Sequence, residues 1–177
     1  MMLPPRYRVP LDPKGWDLKK FSTLRLFWRR HWVWLFIPLA WILSNHFGVA
    51  INLSESLPQK VWIVHLHKTP KRGDYLVFRA PPQTGLEQNS TLIKQVRGVP
   101  GDVVTNLFGH FFINDEYLGQ AKSHSLTGKP LIPGFEGRLK EGEYYVHSPH
   151  PDSFDSRYKA MGFIHADTIV GVAYALW

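Results

Sequence analysis

The chain has 177 residues, 14 Gly and 14 Pro, no Cys, 14% aromatic residues and a formal net charge of +7. That length suits one compact domain with a short appendage, and the Pro, Gly and aromatic content favours strands and turns over a helix bundle. The lack of Cys excludes disulfides, thiolate nucleophiles and Cys-based zinc sites.

The charge is unevenly placed. Residues 1–30 carry eight Lys/Arg and two Asp, a net of +6, whereas the rest is nearly neutral at +1. This distribution argues against a nucleic-acid partner and for a basic tail beside an apolar run. From His31 to Ile51 no Lys, Arg, Asp or Glu occurs. Such a stretch of helix spans about 30 Å, and Trp32, Trp34 and Trp41 with Arg29-Arg30 suit an interfacial end. The expected organisation is a cytoplasmic tail (1–30), a single membrane-spanning anchor (31–51) and a domain on the far side (52–177). Lipid is then one partner of the anchor. Gly48-Val49-Ala50 leaves a cleavable signal segment as the competing reading.

Beyond the anchor the expected elements are β-strands. Val61–Val64 and Tyr75–Phe78 are short apolar strands, the second opened by Gly73-Asp74, and 81–90 is a polar loop. Thr91–Arg97 is a strand closed by Gly98, Pro100 and Gly101. Residues 103–118 read as a hairpin around Gly109 with a further turn at Asn114-Asp115. Residues 122–142 lack periodicity, so about 103–142 is a peripheral excursion. Tyr144–Val146 and 168–177 are the closing strands. The fold class is all-β: an antiparallel barrel or sheet domain behind one helix.

Three segments bear chemistry. Ser54-Glu55-Ser56-Leu57-Pro58 directly follows the anchor, so a nucleophile there faces the bilayer surface. Taken alone it reads as a serine turn before proline. In the strand containing Lys94, alternation puts this lysine on one face with Leu92 and Val96. Burial lowers a lysine pKa, as a general base requires, although an isolated strand lysine more often snorkels to water. Asp152–Tyr158 gathers hydroxyl, carboxylate and guanidinium groups into one turn, which an Asp–Arg pair alone also explains. His65 with His67, and His147 with His150 and Asp152, lack a third ligand at diagnostic spacing; no metal and no cofactor is expected.

In order along the chain, these segments resemble the type I signal peptidase family. Ser54–Pro58 resembles its nucleophile box, Gly73–Phe78 its Gly-Asp strand, Ile93–Asp102 its lysine box and Ser153–Tyr158 its Asp-Ser-Arg box. The resemblance implies a serine endopeptidase with Ser56 as nucleophile and Lys94 as general base. It also implies Ser54 in the oxyanion hole, Ser153 orienting the Lys94 amine, and Asp155 with Arg157 bracing the loop. Leu57 in place of Met, and the short His147–Asp152 loop, are similar to the conjugative-transfer, TraF-type branch that matures pilins. The resemblance also implies a bacterial inner membrane with the catalytic domain in the periplasm, and a membrane-inserted preprotein or pilin as substrate, with conjugation or type IV secretion components as further partners. In that branch the acyl-enzyme can pass to the pilin's own amine and cyclise it. A housekeeping signal peptidase and a non-catalytic assembly component are the alternatives. A self-cleaving repressor would need a DNA-binding domain where this chain has an apolar segment.

Overall fold

The computed structural model describes Trp32, Trp34 and residues 36–52, 57–87 and 89–176. The chain divides into two units, 1–42 and 43–177. Trp32, Trp34 and residues 36–46 are helical. The expected helix is cut short, because Phe47–Ile51 forms a strand, β1, rather than the last turns of an anchor. Ser44, Asn45 and His46 end the helical pattern with side chains that compete for backbone hydrogen bonds. Val49 and Ile51 are β-branched, and the segment finds a partner strand in Val61–Leu66, β2, with Val49 opposite Ile63. Among the described residues no helix is long and apolar enough to cross a membrane.

The remaining strands are β3 (Tyr75–Arg79), β4 (Thr91–Gly98), β5 (Val103–Leu107), β6 (His110–Ile113), β7 (Glu116–Gln120), β8 (Gly137–Arg138), β9 (Glu143–His147), β10 (Ile164–His165) and β11 (Ile169–Ala175). They form two antiparallel sheets. The larger runs β1-β2-β11-β3-β4-β9-β10 and the smaller β7-β6-β5-β8. The sequence leaves barrel and sheet both open; the pairing resolves them as two sheets, with β1 and β10 at the edges of the larger.

Alternation along β3 and β4 sorts side chains between two cores. Leu76, Phe78 and Val96 join Tyr144, Val146, Met161 and Ile164 on one face. Val77 and Ile93 join Leu57, Trp62, Val64 and Ala173 on the other. Both faces of these central strands are covered, so their residues read as near-continuous apolar runs. Each fully buried side chain of this size contributes about 1.5–3 kcal/mol. A third cluster, Val104, Phe111, Ile113, Leu139 and Tyr145, joins the smaller sheet to β9.

The turn from β4 into β5 explains much of the Gly98–Asp102 motif. A Cβ on Gly98 would stand 2.8 Å from Leu139 and 2.9 Å from Ile113 and Tyr145, so only glycine lets the sheets approach there. Gly101 adopts φ +95°, a left-handed conformation that glycine takes without steric cost. The Asp102 carboxylate accepts the Val99 N–H at 2.7 Å, Asn114 Nδ2 at 2.8 Å and Arg72 Nη2 at 2.6 Å. It thereby ties the turn to both the β2–β3 connection and the β6–β7 turn. Asn114 and Asp115 there have φ of 45° and 70°, as tight hairpin turns require.

Candidate active site

The site assembles on β4 and on the loop after β9. Lys94 lies opposite Leu76 in the β3–β4 register, so the two share a face with Leu92 and Val96. Only 5% of Lys94 is exposed, so its ammonium form is poorly hydrated. Nζ donates to Ser153 Oγ at 2.8 Å. Desolvation is the main cause that pulls the lysine pKa from 10.5 down to about 8. Asp155 opposes the shift and the Arg157 charge adds to it.

The loop carrying Ser153 is held by its own backbone and side chains. Ser156 exchanges two hydrogen bonds with Val146: its N–H donates to Val146 O, and its Oγ accepts the Val146 N–H, both at 3.1 Å. The Ser153 N–H donates to His150 O at 3.0 Å. Folding back on β9 in this way brings Ser153 to the end of Lys94.

Asp155 and Arg157 form the brace beneath. Both are buried, at 0% and 3% exposure. Arg157 Nε donates to Asp155 Oδ1 at 2.8 Å and Nη2 donates to Oδ2 at 3.0 Å, a bidentate pair. Asp155 Oδ2 also accepts the Ser148 N–H at 3.1 Å. Arg157 then reaches the Ser153 carbonyl at 3.1 Å through Nη2 and the Gln120 carbonyl of β7 at 3.2 Å through Nη1. One guanidinium therefore links the Ser153 loop to the smaller sheet. Gly119 leaves the space, since a Cβ there would sit 3.2 Å from Arg157 Nη1.

Ser54 and Ser56 lie outside the described residues. The chain on either side of them is anchored. Asn52 Nδ2 donates to the carbonyls of Leu57 and Gln59, each at 3.3 Å, and the Asn52 N–H donates to Lys60 O at 2.8 Å. Leu57 packs in the cluster that contains Ile93, the neighbour of Lys94. Asn52 and Leu57, the described residues that flank 53–56, are thus tied to one another, and Leu57 packs beside β4.

The sequence carries no sign of the burial of three polar groups here. His147 is buried, and desolvation lowers its pKa to about 4, so it is neutral at pH 7. Tyr145 Oη and Ser148 Oγ are fully buried with no hydrogen-bond partner among the described residues. Burial and the Asp155 carboxylate push the Tyr145 phenol well up, so it stays protonated. No local pattern marks these residues, because their burial depends on the smaller sheet and the returning loop. His147 and Asp152 do not act together: His147 is buried against the brace, while Asp152 pairs with Lys122.

Comparison with known proteins places these features in a family. The model of the signal peptidase, peptidase S26 family matches residues 30–177. A signal peptidase I of Pseudomonas fluorescens is 29% identical over 171 residues, covering 77% of this chain and 57% of that protein. A signal peptidase I of Rickettsia bellii (strain OSU 85-389) is 38% identical over 153 residues, covering 64% and 52%. A probable conjugal transfer protein TraF of Sinorhizobium fredii (strain NBRC 101917 / NGR234) is 32% identical over 154 residues, covering 71% and 75%. A solved signal peptidase I from Enterococcus faecalis V583 aligns at 25% identity and a TM-score of 0.39, covering 59% of this chain and 97% of that one. The chain spans about half the length of these signal peptidase I relatives, 57% and 52%. With 148 of its residues matched by one family model, the chain belongs to the signal peptidase, peptidase S26 family.

Proposed function

We propose that this chain is a membrane-anchored serine endopeptidase that cleaves a membrane-inserted preprotein or pilin through a Ser56–Lys94 dyad. The observation that carries the reading is a buried lysine, 5% exposed, whose Nζ donates to the Ser153 hydroxyl at 2.8 Å. With its pKa lowered to about 8, such an amine is neutral in a sizeable fraction just above neutral pH and can act as a base.

Ser56 Oγ attacks the scissile carbonyl carbon while its proton passes to neutral Lys94 Nζ. The tetrahedral oxyanion is held by backbone N–H with help from the Ser54 hydroxyl. Collapse breaks the C–N bond, and Lys94 returns the proton to the departing amine, leaving an acyl-Ser56 ester. Water, or an amine of the substrate, then attacks the ester carbon as Lys94 takes its proton; the ester C–O bond breaks and Lys94 passes that proton to Ser56 Oγ, which restores the free enzyme. Ser153 holds Nζ in place, and Asp155 with Arg157 holds Ser153.

The excess of Lys and Arg in residues 1–30 supports an N-terminus in the cytoplasm, with the apolar segment before β1 as anchor. The domain is then periplasmic. Pilin maturation is favoured over general export by the short His147–Asp152 loop and by the similarity to a probable conjugal transfer protein TraF. The test is mass spectrometry of a candidate pilin co-expressed with wild type, Ser56→Ala or Lys94→Ala. Processing lost in both variants supports the dyad. A product lighter than the linear peptide by about 18 Da marks ring closure by an amine that outcompetes water. Normal processing in both variants sinks the peptidase reading and leaves the assembly-component alternative.

A further inference from the structure

A cleft of about 1230 Å³ shares the Ser153 loop with the candidate active site: Asp152 and Phe154 line it, on either side of Ser153. It is larger than the roughly 300–1,000 Å³ of a small-molecule pocket, so its size suits a stretch of polypeptide. Four of its lining side chains are large, apolar and water-exposed: Leu86 (45%), Leu126 (84%), Ile132 (63%) and Phe135 (48%). Scattered apolar residues on a surface need no explanation, but four gathered in one concavity do.

The charge in the cleft leans positive: Lys122, Lys129 and Lys159 line it against Asp152 and Glu143. Asp152 is taken by Lys122, and the Glu143 carboxylate accepts the Lys140 N–H. Lys129 and Lys159 have no carboxylate partner among the described residues; Lys159 lies over the Phe135 ring at 6.0 Å. Strand β10, the edge of the larger sheet, also lines the cleft through Ile164 and His165. An edge strand offers unpaired backbone groups to an extended chain.

We propose that this cleft is a docking groove for an extended, acidic and apolar segment of the protein substrate, remote from the scissile bond. The assignment rests on the peptidase reading. A chain seated on Asp152 and Phe154 lies within a few residues of the side chain that holds the Lys94 amine, so one polypeptide can occupy both places. The chain's own tail is a poor occupant, because its net charge of +6 opposes the lysines.

The test begins with binding, which does not depend on cleavage. A fluorescein-labelled ten-residue peptide of alternating Glu and Leu is titrated with the full chain in detergent micelles, read by anisotropy. Saturable binding that weakens tenfold or more in Lys129→Glu/Lys159→Glu and in Ile132→Asp is expected, with a Lys–Leu peptide failing to bind wild type. The milder Lys129→Gln/Lys159→Gln variant should weaken binding less, with an unchanged melting temperature. Equal binding of both peptides, or none lost on charge reversal, overturns the groove. Displacement of the peptide by phosphatidylglycerol vesicles would reassign the cleft to lipid and overturn the proposal. Kinetics then address the substrate: the double charge reversal should raise KM for a full-length preprotein about tenfold at unchanged kcat. A short peptide covering only the scissile bond should be unaffected. Lost peptide binding with an unmoved preprotein KM would assign the groove to another partner. If no preprotein is cleaved at all, the peptidase reading fails while the anisotropy result still stands.

Discussion

Two buried cations lie on either side of the Ser153 loop, and their surroundings differ. Arg157 meets a carboxylate through two hydrogen bonds and spends its other donors on the carbonyls of Ser153 and Gln120. Lys94 donates to the Ser153 hydroxyl, and burial drives its pKa to about 8. A compensated buried charge holds structure in place, whereas a poorly compensated one gives up its proton. One short loop carries both devices, because Asp155 pairs with Arg157 and stays with it, leaving Ser153 to face the lysine.

Substitutions at the dyad should break the comparison most severely. Ser56→Ala or Lys94→Ala should lower kcat for a peptide substrate by about 10³-fold or more. Lys94→Met should do the same without loss of stability. Below pH 8 the lysine is charged in both folded and unfolded chains, so the folded state bears the full penalty of burying it. Between about 8 and 10.5 the unfolded chain binds more protons, and stability rises with pH. Removing the amine should therefore raise the unfolding free energy at pH 7 by about 1–3 kcal/mol, read by denaturant titration. Equal destabilisation of Lys94→Met and Asp155→Ala would remove the distinction between the two cations.

At the brace, Asp155→Ala leaves a guanidinium buried without its partner and should cost about 3–5 kcal/mol, seen as a large drop in melting temperature. Ser153→Ala should act on rate instead. The Lys94 amine loses its fixed direction, so kcat/KM should fall by roughly 10–100-fold with little change in melting temperature. The smallest effect belongs to His147. Its pKa is lowered in the folded chain, so the unfolded chain binds more protons between about 6.5 and 4, and stability falls as pH falls through that window. His147→Leu should flatten that acid limb while leaving stability at pH 7 within about 1 kcal/mol.

Much of this arrangement is legible in the sequence where it depends on local period. The alternation Leu92-x-Lys94-x-Val96 places the lysine on a core face, and Gly98, Pro100 and Gly101 announce the tight turn after it. The end of the helix is not legible, because Phe47–Ile51 continues the apolar run and only its pairing with β2 makes it a strand. Contacts distant in sequence are hidden for the same reason. Arg157 reaches Gln120 across 37 residues, and the cleft gathers side chains from three separate loops. The proposed pairing of Ser56 with Lys94 rests on the resemblance of ordered motifs; spacing alone pairs neither residue with the other.

The most direct test is the titration of Lys94 itself. In the full chain with isotope-labelled lysines, its NMR signal, assigned by its loss in Lys94→Arg, should titrate near pH 8. A midpoint at the ordinary 10.5 would mean an ammonium at working pH, and Lys94 could not be the base.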